Sequence, residues 1–336
     1  MLLKELTKNL APQLTKSEFI QTMNKFGSLK LPFLFIIDFD FANPIIILLT
    51  EINSSEILFQ TEDAKNFEES KIEIPDFKLE KHPVTFEKYS SAFKYVQDNI
   101  INGNSYLLNL TFPTKIELNL TLEEIFYHSI AKYKIFVKDN FVCFSPEIFV
   151  KIRDGKISSY PMKGTIDADI PDALNIILND EKEFAEHNTI VDLIRNDLSI
   201  VSKNVRVNKF RYADFLQTSN KRLIQISSEI CGDLPGNYNE NLGNIFDKLL
   251  PAGSVTGAPK KKTVEIIKEA EGYERGFYSG VFGAFDGENL DSAVIIRFIE
   301  KTNDGYEFKS GGGITSMSEV NSEYQELIDK VYVPIY

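Results

Sequence analysis

Lys163, in the run Pro161-Met162-Lys163-Gly164-Thr165, is the residue whose setting would best suit a nucleophile. Proline fixes φ on one side and glycine admits a close neighbour on the other, so the run predicts a tight corner able to hold a ligand. A lysine kept there among apolar groups loses hydration. Its ammonium form is then disfavoured, and the neutral amine can attack carbon. Five residues alone also fit a plain reading, because most lysines in turns are solvated.

Two acidic helix faces follow. Glu183, Glu186 and His187 share one face of a helix expected over Glu181–Ser199, with Asp180 as its N-cap and Glu183 completing a capping box. Near the C-terminus, Val320, Tyr324, Leu327 and Val331 form an apolar stripe, with Glu319, Glu323, Glu326 and Lys330 beside it. Carboxylates at this spacing repel, and beside an apolar stripe they call for a cation or protons. The plain alternative makes Glu183 a cap, Glu186 a solvated group and Glu326–Lys330 an exposed pair worth a few tenths of a kcal/mol. If the helices meet, their oxygen-only ligands favour magnesium, completed by waters and substrate oxygens.

Two glycine-rich segments supply further contacts. Pro251–Pro259 reads as a loop before a helix that runs to about Glu271 and stops at Gly272. Lys260, Lys261 and Lys262 oppose the dipole in its first turn, so they read as facing an anion or a partner. No Gly-Lys-Ser/Thr stands at P-loop distance, which excludes an NTPase. Gly311-Gly312-Gly313 reads as a second loop, where three glycines imply close backbone approach or positive φ. Arg297, in a strand read as Ser292–Ile299, carries a fork suited to a substrate carboxylate if it points inward.

The elements that must position these groups are mixed. Leu31–Phe41 and Pro44–Thr50 read as strands, and the charged stretch Glu62–Lys81 as a boundary or surface excursion. Helices are expected over Thr85–Asn102 and Thr121–Tyr133. Strands are expected over Ser105–Phe112, Lys134–Lys138, Phe141–Phe144, Ile148–Ile152, Gly276–Phe285 and Tyr306–Ser310. Short strands joined by tight turns favour antiparallel sheet. Cys143 and Cys231 form no disulfide framework and no metal spacing. A net charge of −12 argues against nucleic acid and anionic membranes, and no apolar run is long enough to span a bilayer. The chain reads as a reduced cytoplasmic protein.

Taken in order, several motifs resemble the chorismate-utilising enzymes, and within them the component I branch of aminodeoxychorismate synthase. They are Ser145-Pro146-Glu147, Pro161–Thr165, Glu186-His187 with Ile190–Leu198, Ser254–Lys260, Tyr278-Ser279-Gly280, and Gly311–Ile314 leading to Glu323–Glu326. The resemblance implies an α+β fold, with large antiparallel sheets in a sandwich-like core and helices outside. Residues 1–80 would be a shortened, strand-rich N-terminal part of the same fold, and residues 82–336 the chorismate-binding catalytic region. It implies Mg2+ on Glu183, Glu186, Glu323 and Glu326. Substrate contacts would come from Gly164, Thr165, His187, Thr256, Tyr278, Arg297, Gly311, Gly312, Gly313 and Lys330.

Within that resemblance Lys163 selects the branch, since anthranilate synthases generally carry a small residue there. The expected product is 4-amino-4-deoxychorismate, on the route to para-aminobenzoate and folate. Lys163 would be the covalent nucleophile and Glu147 the general acid, with ammonia drawn from a separate glutamine amidotransferase subunit (component II). Anthranilate formation is the alternative, and a non-catalytic chorismate-binding protein a more distant one.

Overall fold

The computed structural model describes residues 14–68, 76–217 and 222–335. Its strands pair antiparallel in two sheets of nine and eight strands. The Phe33–Ile37 strand shows why they stack. Its five residues are all buried: Phe33, Phe35 and Ile37 pack toward helices, while Leu34 and Ile36 face the other sheet. A strand apolar on both faces must be covered on both. One cover is built from Lys16–Ser28, Glu181–Val201 and Leu242–Leu249, where Phe35 meets Phe246 edge-on at 4.8 Å. The other is the second sheet, whose far face is covered by Phe86–Ile101, Leu122–His128, Lys260–Glu271 and Val320–Asp329. The result is the expected sandwich with helices outside. Each fully buried phenylalanine contributes about 1.5–3 kcal/mol.

The N-terminal strands enter both sheets. Phe33–Ile37 pairs with Val281–Phe285, and Ile57–Gln60 pairs with Tyr133–Val137. Part of the charged 62–81 stretch, residues 69–75, lies outside the described residues. Among the described residues no helix is long and apolar enough to cross a membrane.

Two corners matter most. The chain leaves the second sheet after Phe141–Ser145 and enters the first at Ile148–Arg153, turning at Pro146-Glu147. It returns from Leu290–Val294 to Phe298–Thr302 through Arg297. The expected strand Ser292–Ile299 is therefore broken. Arg297 takes the left-handed φ of 53° that lets one chain segment serve two sheets. The corners are stitched together: Val294 N–H donates to the Glu147 carbonyl at 3.0 Å, and Phe144 N–H to the Arg297 carbonyl at 3.1 Å.

Other boundaries also move. The helix expected over Thr121–Tyr133 ends at His128, because the wholly buried Tyr133–Val137 is taken by the sheet. Of Gly276–Phe285 only Val281–Phe285 is strand. Gly311–Gly313 is not a loop but the end of the strand Gly305–Ile314, paired to Thr111, Leu110 and Asn109. Glycine is needed there for close approach rather than for turning.

Candidate active site

The two corners bring Glu147 and Arg297 close enough for their charges to interact. Ser254, from the loop before the Lys260–Glu271 helix, donates its hydroxyl to Glu147 Oε1. Burial raises the pKa of the Glu147 carboxyl; Ser254 and then the charges of Lys163, Lys330 and Arg297 pull it partly back. One acid is thus within electrostatic reach of three cations. Tyr278 is buried within electrostatic reach of both, and burial pushes its phenol up to about 12.

Lys163 sits on the strand Met162–Asp167, next to an irregularity in its pairing with Arg222–Asp233. Its Nζ donates to Glu186 Oε2 at 3.3 Å and would lie 3.5 Å from a Cβ at Gly313. The surroundings expected to be apolar contain a carboxylate. Gly164 has φ +79°, and a Cβ there would come within 3.1 Å of Glu183 Oε2. Glu183 and Glu186 thus line the Lys163 corner. Asp180 caps the helix through Glu183 N–H at 2.9 Å.

The second acidic helix meets the glycine strand. A Cβ at Gly312 would fall 3.2 Å from both Glu323 Oε2 and Glu326 Oε1. Lys330 Nζ bonds Glu326 Oε1 at 2.5 Å and donates to the Gly311 carbonyl at 2.8 Å. Burial lowers the Lys330 pKa, opposed by Glu326 and reinforced by Arg297 and Lys163. Gly313, between the helices, joins the two halves.

Four carboxylates on two helices, beside a glycine backbone that leaves space for a small group, are a donor set suited to a hard divalent ion. Among the described residues, however, the group whose donor atoms all lie within 4.8 Å of one another is Glu80, His82 and Glu117, on the surface. The four glutamates are not gathered that closely. Lys163 and Lys330 instead hold one carboxylate of each pair.

The remaining expected contacts stand further back. Thr256 is fully buried, and its hydroxyl donates to the Ala252 carbonyl at 2.8 Å. Thr165 is exposed and accepts from Gln225 at 3.4 Å. His187 is buried; its Nε2 meets Ser228 Oγ at 2.6 Å, while Nδ1 has no partner. Burial, then Arg211 and Lys163, push the His187 pKa down to about 4.

Sequence reasoning missed the supports. The anion that Lys260 faces belongs to the protein: it pairs with Asp197 at 2.8 Å and donates to the Leu249 carbonyl at 2.6 Å, tying the loop to the Glu186 helix. Arg275 is fully buried, bonded to both Glu271 oxygens and to the Val255 and Asn109 carbonyls. It fixes the Ser254 loop from below. Its spacing of four from Glu271, across a helix stop, was the available signal.

The chain belongs to the family described as chorismate binding enzymes, matched over residues 49–335. It is therefore an enzyme acting on chorismate. An "uncharacterized PabA-like protein" of Haemophilus influenzae is 49% identical over 96% of this chain and 98% of its own length. The aminodeoxychorismate synthase component 1 of Bacillus subtilis is 31% identical, over 74% of this chain and 55% of that relative. A crystal structure of anthranilate synthase component I from Streptococcus pneumoniae is 28% identical with a TM-score of 0.64, covering 76% of this chain and 58% of that one.

Proposed function

We propose that the chain is component I of aminodeoxychorismate synthase, converting chorismate and ammonia to 4-amino-4-deoxychorismate. The observation that carries this is a lysine amine close enough to a buried carboxyl for their charges to interact. Lys163 is among the charges that act on Glu147, together with Lys330 and Arg297.

In this reading the Arg297 guanidinium and the Lys330 ammonium anchor substrate carboxylate and orient the ring. The Lys163 nitrogen attacks the ring carbon beside the carboxylate-bearing carbon once its extra proton has passed to Glu186. The double bonds shift, and the ring hydroxyl leaves as water with a proton from Glu147. Burial raises the Glu147 pKa and so favours the acid form for that task, and the Ser254 hydroxyl steadies the carboxylate left behind. Ammonia then bonds where the hydroxyl stood, the double bonds shift back, the Lys163 nitrogen departs, and the surplus proton on the new amine returns to Glu147. Mg2+, held through Glu183, Glu186, Glu323 and Glu326, would supply charge neutralisation at the ring carboxylate. The Bacillus relative's designation as a component 1 supports a separate partner that delivers ammonia, here a glutamine amidotransferase.

The test is product identity. Purified protein with chorismate, magnesium and ammonium should yield aminodeoxychorismate. Anthranilate as the sole product would transfer the chain to the other branch, as the likeness to an anthranilate synthase allows.

A further inference from the structure

Tyr332 takes no part in the chemistry above, yet its ring lies over Arg297, with the guanidinium carbon 4.9 Å from the ring centroid. Arg297 is otherwise loosely held. Its Nη1 reaches the Lys330 carbonyl only at 3.4 Å, and its buried Nε has no hydrogen-bond partner. A buried donor without an acceptor is costly, and it persists where the surrounding structure imposes it for use. The left-handed backbone at Arg297 is a second sign of imposed geometry.

Tyr332 is itself fixed from both sides. Val331 is fully buried, and Tyr332 N–H donates to the Lys330 carbonyl at 3.1 Å. Beyond it, Ile130 N–H donates to the Pro334 carbonyl at 2.9 Å and Ile335 bridges Ser129. Tyr332 stays 46% exposed and lines an open cavity of about 580 Å3 together with Glu326 and Lys330. Had this position carried a carboxylate, it would have occupied the guanidinium fork. A ring face attracts the cation and leaves its donors for another acceptor.

We propose that Tyr332 is a substrate-positioning residue, whose ring orients and shields the Arg297 guanidinium so that the outer end of its fork is presented to a substrate carboxylate. This rests on chorismate being the substrate, and not on which product forms. Replacing Tyr332 by Leu keeps apolar volume and removes the ring. Binding of chorismate by titration calorimetry, and KM with ammonium, should both weaken about fivefold, with a smaller effect on kcat. Tyr332→Phe should restore both values, since the phenol oxygen is not what faces the cation. Tyr332→Ala should behave as the Leu variant, and the thermal midpoint of each variant separates a binding effect from unfolding. Unchanged affinity in a folded Leu variant, a loss confined to kcat, or a Phe variant as weak as Leu would each overturn the proposal. Wild-type protein that binds no chorismate would sink the functional reading instead.

Discussion

The helices Glu181–Val201 and Val320–Asp329 each set a pair of glutamates against a glycine and give one of them a lysine, and the two lysines are held differently. Lys330 comes from one turn further along the same chain. It has two partners, Glu326 at 2.5 Å and the Gly311 carbonyl at 2.8 Å. Lys163 comes from a separate strand and donates to Glu186 at a long 3.3 Å. A doubly tied ammonium is a fixed charge. A singly and weakly tied amine can leave its partner and form a bond. In the proposed mechanism the same residue types divide into an anchor and a nucleophile by how many bonds hold the nitrogen.

Replacing each lysine by Met is the sharpest way to break this contrast. Lys163→Met should leave less than about one thousandth of the wild-type rate of aminodeoxychorismate formation. Lys330→Met should act mainly by raising KM for chorismate, by roughly tenfold to a hundredfold for a lost charged contact. Equal kcat losses in both, by steady-state kinetics, would erase the distinction. Glu147→Gln keeps the shape and removes the proton, and should lower kcat about 10²- to 10³-fold.

The pH profile sharpens the acid assignment. Burial raises the pKa of Glu147, so the acid form is present at low pH and kcat falls as pH rises through that elevated value. Ser254 lowers it, so Ser254→Ala should move the falling limb to higher pH; a shift downward would contradict the role given to the hydroxyl.

The glycines allow a subtler comparison. Gly164→Ala suffers both a φ of +79° and contact with Glu183 at 3.1 Å, whereas Gly312→Ala meets only carboxylate oxygens at 3.2 Å. The first should lose stability by about 1 kcal/mol or more in a denaturant titration. The second should mainly weaken magnesium binding, read by calorimetry on the protein alone.

His187 marks a last difference between the helices, as only the first buries a titrating ring beside its glutamates. With a folded pKa of about 4 against 6.5, it stays neutral when folded. Its contribution is complete above pH 6.5 and is lost as pH falls toward 4, up to about 3 kcal/mol. His187→Gln should flatten that part of the stability curve; an unchanged slope would mean the ring does not carry it.

Residue pattern made much of this legible. The helix read over Thr85–Asn102 is found as Phe86–Ile101, and the Pro259 start and Gly272 stop predicted Lys260–Glu271. The ordered motifs singled out the acidic helices, Lys163 and Glu147, and Arg297 was read from its place among apolar strand residues. Local signals sufficed there because caps, breakers and periodic faces act within a turn or two. They failed where long-range pairing overrode them: the helix read as far as Tyr133 stops at His128 before the sheet strand Tyr133–Val137, and the Arg297 strand was broken to serve two sheets. That the anion facing Lys260 is Asp197 was not legible, because the two lie far apart in sequence.

The amino-acid sequence by itself determined the chemical inventory and the family, since motif identity and order are properties of the chain. Only the tertiary structure decided which lysine is tied twice and which once, and that Tyr332 covers Arg297. Those outcomes depend on distances between segments joined by sheet crossings, and no local rule along the chain encodes a distance across it.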